Sequence, residues 1–197
     1  MGQYSVNAAE TTQNATAEAL ELLQQVASQE FLPASDSKDQ FYGGKGHQMK
    51  RNSGICYGSN FQVLDDLSLC ILDSDQATVT GTVTTENGVV GPITLDGCLQ
   101  LVLQGYKSLL KTEALRLVPA SIRDFHVLRD LPSSQTLFAT ACIKMISSST
   151  VEAQVILADA SGRPIVFMQD AKFEKISELE MPDDIQFRSL QWNVKPA

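Results

Sequence analysis

The chain has 197 residues, of which 43% are hydrophobic and 19% charged, and carries a formal net charge of −8. That length can bury one substantial core, and an acidic balance without a basic face argues against nucleic-acid binding. No apolar run approaches the roughly 20 residues needed to span a bilayer, and the first ten residues lack the basic-then-apolar order of a secretory signal, so a cytoplasmic protein is expected.

Residues 1–40 hold six acids and one base, a net of −5 out of the −8. They read as a polar N-terminal segment carrying one amphipathic helix. Residues 1–14 are expected to fray. "MGQYSV" meets the myristoylation pattern only in part, since position six is Val. Residues 15–31 place Leu20, Leu23, Ala27 and Phe31 at helical spacing, with Asn14 as a candidate N-cap. Such a helix either packs on the core or docks a partner. Residues 33–54 are rich in Pro, Gly, Ser and Lys around Phe41 and Tyr42, and read as a loop.

Strands follow. "FQVLDDLSLCILD" (61–73) alternates in part and ends at an Asp-Ser-Asp turn. "QATVTGTVTT" (76–85) is rich in β-branched residues and sets Ala77, Val79, Gly81 and Val83 on one face. "ENGVV" carries an Asn-Gly turn signal. Over 95–112 the period changes to that of a helix. Leu95, Cys98, Leu99, Val102, Leu103, Tyr106, Leu109 and Leu110 recur at i, i+3, i+4, and Leu101 widens the apolar face. A helix this apolar must be covered on several sides. Four further strand candidates follow, and "ADASGRP" (158–164) reads as a hairpin turn with Gly162 free to take positive φ.

The cysteines, at 56, 70, 98 and 142, form no C-x-x-C pair, and no His/Asp/Glu cluster has metal spacing, so no metal is expected. "GGKG" (43–46) lacks the spacing of a phosphate loop, and no Gly-x-Ser-x-Gly elbow occurs. Two strands, one buried helix and about four strands fit an α+β hotdog fold, a long central helix wrapped by a curved antiparallel sheet.

Particular residues carry a family resemblance. "YGSNFQ" (57–62), "GPITLDGCLQ" (91–100), "VPASIRDFHVLRDLP" (118–132), "VILADASGRPIVFMQDAKFEKI" (155–176) and "FRSLQWNVKPA" (187–197) follow one another in order. Together they resemble the second half of the double-hotdog dehydratase domains of polyketide synthases, which carry Tyr-Gly-Pro-x-Phe-Gln and His-Pro-x-x-Leu-Asp-x-x-x-Gln stretches. The resemblance implies a dehydratase-like domain over 41–176, followed by a linker tail over 177–197. It implies no bound cofactor, but a β-hydroxyacyl thioester on the phosphopantetheine of an acyl carrier protein, with other synthase domains as partners. Asp96 stands at the position of the acid that protonates the leaving hydroxyl. Gln100, Tyr57, Gly58 and Pro92 match residues bordering that site.

The family's histidine base lies on a first hotdog that has no counterpart here. Gly91 stands where the family has His, and Ser59 where it has Pro. His47 lies in the loop and matches nothing. His126 lies in a strand, at a position that matches no catalytic one, and is the remaining candidate base. Three readings stay open. A second copy or partner hotdog supplies the base; Asp96 alone serves an isomerisation or cyclisation; or the chain only binds acyl chains or carrier protein. Asp96 as a plain N-cap is the structural alternative, although Thr94 could cap the helix in its place. Lys45, Lys50 and Arg51 form a small basic patch that would suit an acidic carrier protein.

Overall fold

The computed structural model describes residues 3–29, 32–33, 61–85, 90–111, 117–129 and 136–176. Its elements are α1 (Gln3–Ala27), β1 (Leu32–Pro33), β2 (Leu64–Ile71), β3 (Gln76–Thr84), α2 (Pro92–Leu110), β4 (Leu117–Val127), β5 (Thr136–Ser147), β6 (Thr150–Ala158) and β7 (Pro164–Lys175). The strands form one antiparallel sheet in the order β1-β2-β3-β5-β6-β7-β4. The class is α+β, and among the described residues the sheet is open, with β1 and β4 at its ends.

The alternation read in β3 is the one observed. Ala77, Val79, Gly81 and Val83 are buried, and Val79 and Val83 face a core shared with Cys98, Leu101, Val102 and Tyr106 of α2. Two glycines set how closely α2 approaches. A Cβ on Gly97 would lie 2.6 Å from a methyl of Val63, and one on Gly105 would lie 2.2 Å from Ile143 Cδ1 and 3.0 Å from Val79 Cγ2. The far end of the helix is held by Tyr106, which is fully buried and donates its hydroxyl to the Ser148 carbonyl at 2.6 Å. This bond fastens α2 to the β5–β6 turn.

The start of α2 differs from the expectation. The helix begins at Pro92, three residues earlier than its apolar period suggests, with Gly91 at the N-cap and no side-chain cap. Proline favours the first helical position because its φ is already helical and its missing N–H would be unsatisfied there anyway. Neither Thr94 nor Asp96 is therefore the cap.

α1 lies on the opposite face of the sheet. Ala15 and Ala19, with Leu22 and Leu23, pack on Ile156 and Phe167, and Glu18 accepts a hydrogen bond from Gln169. Three expectations are corrected here. The helix starts at Gln3 rather than 15; Asn14 is inside it, not its cap; and Leu20 and Ala27 are exposed. The buried positions of α1 are Ala15, Ala19 and Val26. Phe31 lies outside the described residues, as do the 34–60 stretch, the Asn-Gly turn and the 177–197 tail.

The β6–β7 turn forms as read, with Gly162 at φ +75°. Asp159, 4% exposed, organises it. Its carboxylate accepts from the Ser161 hydroxyl at 2.6 Å, the amides of Ser161 and Arg163 at 2.9 and 3.1 Å, and the Arg163 guanidinium. Arg129 adds a longer contact at 3.4 Å. The Ser161 hydroxyl and the other donors hold the Asp159 carboxyl well below the usual carboxylate range.

Two outcomes test this packing. Gly105→Ala gains about 1 kcal/mol of helix propensity but meets overpacking of about 1–3 kcal/mol; urea unfolding should show a net loss, and a gain would mean that the contact is slack. Asp159→Asn should cost about 1.5–3 kcal/mol near neutral pH, where charged hydrogen bonds are intact. A carboxyl depressed in the folded state stabilises above its unfolded pKa and ceases to as pH falls through its folded one. The gap between wild type and Asp159→Asn in unfolding free energy should therefore narrow below about pH 4; a pH-independent gap would contradict the charged network.

Candidate functional site

Asp96 is the fifth residue of α2, at the start of its second turn, and is half-buried. Gln100 lies one turn on, 1% exposed, and donates its amide Nε2 to Asp96 Oδ2 at 2.6 Å and to the Phe61 carbonyl at 2.9 Å. The i, i+4 spacing brings the two side chains together on one helix face. The Phe61 contact anchors the amide to the chain just before β2, so the carboxyl is positioned from outside its own helix. Oδ2 is thereby engaged, and Oδ1 remains to meet another group.

The surroundings are apolar. Leu95 and Leu99 are partly buried against the core, and the Cys98 thiol is fully buried. Burial, assisted by the neighbouring Asp96 charge, pushes that thiol up to about 12, so it is a packing group rather than a nucleophile. Pro92 is exposed at the mouth of the helix.

The remaining candidates are not brought to Asp96. His126 lies on β4 directly across from Phe167, which faces α1. Cross-strand partners share a sheet face, so His126 is on the side away from α2. Tyr57, Gly58, His47 and the basic patch of Lys45, Lys50 and Arg51 lie outside the described residues. Among the described residues no group of three His, Cys, Asp or Glu could hold a metal ion, and no helix is long and apolar enough to cross a membrane. The contact that the sequence does not reveal is the Phe61 carbonyl, a main-chain oxygen.

The family model of the polyketide synthase dehydratase N-terminal domain matches residues 20–183. The chain belongs to the polyketide synthase dehydratase family. No curated protein matches it. Among solved structures, it is similar to the dehydratase domain of PpsC from Mycobacterium tuberculosis in complex with C12:1-CoA, at 18% identity and a TM-score of 0.57, covering 76% of this chain and 54% of that one. The dehydratase domain of RzxB from Pseudomonas fluorescens aligns at 18% identity and TM-score 0.55, covering 74% and 49%. A trans-acyltransferase polyketide synthase enoyl-isomerase aligns at 12% identity and TM-score 0.50, covering 64% and 50%. These likenesses show a hotdog fold, and the chain spans about half the length of the structures it matches. The matched family model is described as the N-terminal domain, whereas the residues around Asp96 resemble the second half.

The Asp96–Gln100 contact is testable without any substrate. A double-mutant cycle of Asp96→Asn and Gln100→Leu, read by urea unfolding, should give a coupling of about 0.5 kcal/mol or more, as for residues in direct contact. Strict additivity would mean that the two side chains are apart in solution.

Proposed function

We propose that the protein is a dehydratase-like hotdog of polyketide biosynthesis, acting in the cytoplasm on β-hydroxyacyl thioesters carried by an acyl carrier protein. Asp96 is the general acid. A base takes the α-proton, the electron pair forms the α,β double bond, the C–O bond breaks, and Asp96 delivers its proton to the departing hydroxyl so that water leaves. The observation that carries this reading is the half-buried Asp96 with one oxygen held by buried Gln100, in a chain of the dehydratase family. With Oδ2 accepting from Gln100, Oδ1 is the oxygen that faces the leaving hydroxyl in this reading. Gln100 is then a positioning residue, while Pro92, Tyr57 and Gly58 border the acyl site.

The base comes from a second hotdog, in a partner chain or another synthase domain, or in a second copy of this chain. Two features support this. The chain spans about half of each matched structure. In addition, among the described residues β4 is an edge strand, and its Ile122, Phe125 and Val127 are 36%, 44% and 57% exposed. Their cross-strand partners Ala171, Met168 and Val166 belong to the core around α2. An apolar strand with one uncovered face and an open hydrogen-bonding edge favours an added strand from a partner.

A second reading is favoured by the position of His126 on the far face: the chain binds acyl groups or carrier protein without turnover, or uses Asp96 alone as an isomerase or cyclase. The two are separated by loading a carrier protein with a β-hydroxyacyl chain and following loss of water by mass, with and without a His-bearing hotdog. Dehydration that falls about 10²-fold or more in Asp96→Asn supports general acid catalysis. Carrier binding with no turnover in either setting supports the binding reading.

A further inference from the structure

One polar group on α2 lies outside the Asp96–Gln100 contact: the side chain of Gln104. Asp96, Gln100 and Gln104 follow one another at four-residue intervals, and residues so spaced form a single row along a helix. On one flank of the row, Gly97, Leu101 and Gly105 seat α2 on the sheet. On the other, Leu95, Leu99 and Leu103 are partly buried against the core. The row is thus a polar seam in an apolar helix.

Gln104 is 3% exposed, yet its carboxamide makes no hydrogen bond among the described residues. Its polar neighbours in the row are engaged elsewhere. The Ser108 hydroxyl donates to the main-chain carbonyl of Gln104 at 3.0 Å, and Gln100 Nε2 donates to Asp96 and Phe61. The Gln104 amide is not sealed in either. Among the described residues, the fully enclosed side-chain atom that lacks a partner is Gln29 Oε1, so the little exposure that Gln104 keeps includes its amide nitrogen and oxygen. Two N–H donors and an acceptor therefore stand unmatched but within reach of a ligand. Unpaired and nearly buried, such an amide disfavours the empty site, whereas Leu or Met would fill the same space without that cost.

Position along the helix indicates what meets it. Pro92 and Ile93 are exposed at the start of α2, whereas near its far end Tyr106 is fastened to the β5–β6 turn. A thioester borne by a carrier protein arrives at the exposed end, so the acyl chain beyond Asp96 runs toward Gln104. Eight residues of helix rise about 12 Å. Long helical side chains lean back toward the N-terminus, which brings the two polar ends to roughly 8–12 Å apart. An extended chain advances about 1.3 Å per bond, so this gap equals about six to nine bonds.

We propose that Gln104 is a specificity-determining residue, whose carboxamide hydrogen-bonds an oxygen substituent on the acyl chain, about six to nine bonds beyond the carbon bearing the leaving hydroxyl. The inference rests on the dehydratase-like reading of the site. A chain with a carbonyl or hydroxyl at that place satisfies the amide; a plain alkyl chain leaves it unpaired.

The test uses the full-length protein, ¹⁵N-labelled, and β-hydroxydodecanoyl chains joined to N-acetyl-ethylenediamine. The amide link replaces the thioester and leaves the α-proton too weakly acidic for loss of water. Four chains are titrated: one unsubstituted, and three with an oxo group two, six or eight carbons beyond the hydroxyl-bearing one. At least one of the two distant oxo groups should tighten binding about tenfold over the unsubstituted chain, with the Gln104 side-chain amide signal shifting in step. The nearby oxo group should bring no gain. Gln104→Leu should remove the preference while the unsubstituted chain still binds, and Gln104→Met, unbranched and of similar length, is the second variant in case Leu unsettles the fold. Equal binding by all four chains, with water alone on Gln104, would overturn the proposal and leave the dehydratase-like reading standing. So would a preference for the nearby oxo group, or one that survives both substitutions. No binding by any chain would overturn both.

Discussion

The close seating of α2 on the sheet is the constraint on which the rest depends. Gly97 and Gly105 lie two turns apart and let the helix backbone settle where any side chain would collide with Val63, Val79 or Ile143. Leu101 and Val102 are fully buried between them. Interiors packed to crystal-like density leave little room for such a helix to shift. The same seating fixes where the first turn of α2 begins, and with it the position of Asp96.

The carboxyl site is thus a by-product of packing and of one side chain. Gln100 is buried because α2 is buried, and its amide must then find partners. It finds one on its own helix, Asp96, and one on the chain entering β2, the Phe61 carbonyl. Burial of a single amide therefore links the helix start, the sheet entrance and the candidate acid. A structural need for satisfied hydrogen bonds and a chemical need for a positioned carboxyl are met by the same contact.

Much of this was legible in the residues. Alternation over 76–84 and the long apolar helix were visible because both are dictated by burial on a regular period. The face of α1 is legible only in part: Leu23 packs on the sheet as its spacing suggests, whereas Leu20 is exposed and the buried positions include Ala15 and Ala19. Small residues carry weak hydrophobic signals yet permit the tightest approach. The apolar period, a core signal, places the start of α2 at residue 95, whereas the boundary is set at Pro92 by a backbone signal. The Phe61 carbonyl was invisible for a simpler reason. A main-chain oxygen 39 residues away from Gln100 leaves no side-chain signature.

The strand order carries a consequence for assembly. β4 follows α2 in the chain, yet among the described residues its one neighbour in the sheet is β7, the last described strand in chain order. It must wait while β5, β6 and β7 form their meander, and only then can it close against the finished edge. Such long-range pairing is slow and is formed late. The margin that bears Phe125 and Val127 can therefore close only after β7 has been made, and an incoming strand would meet it only after that.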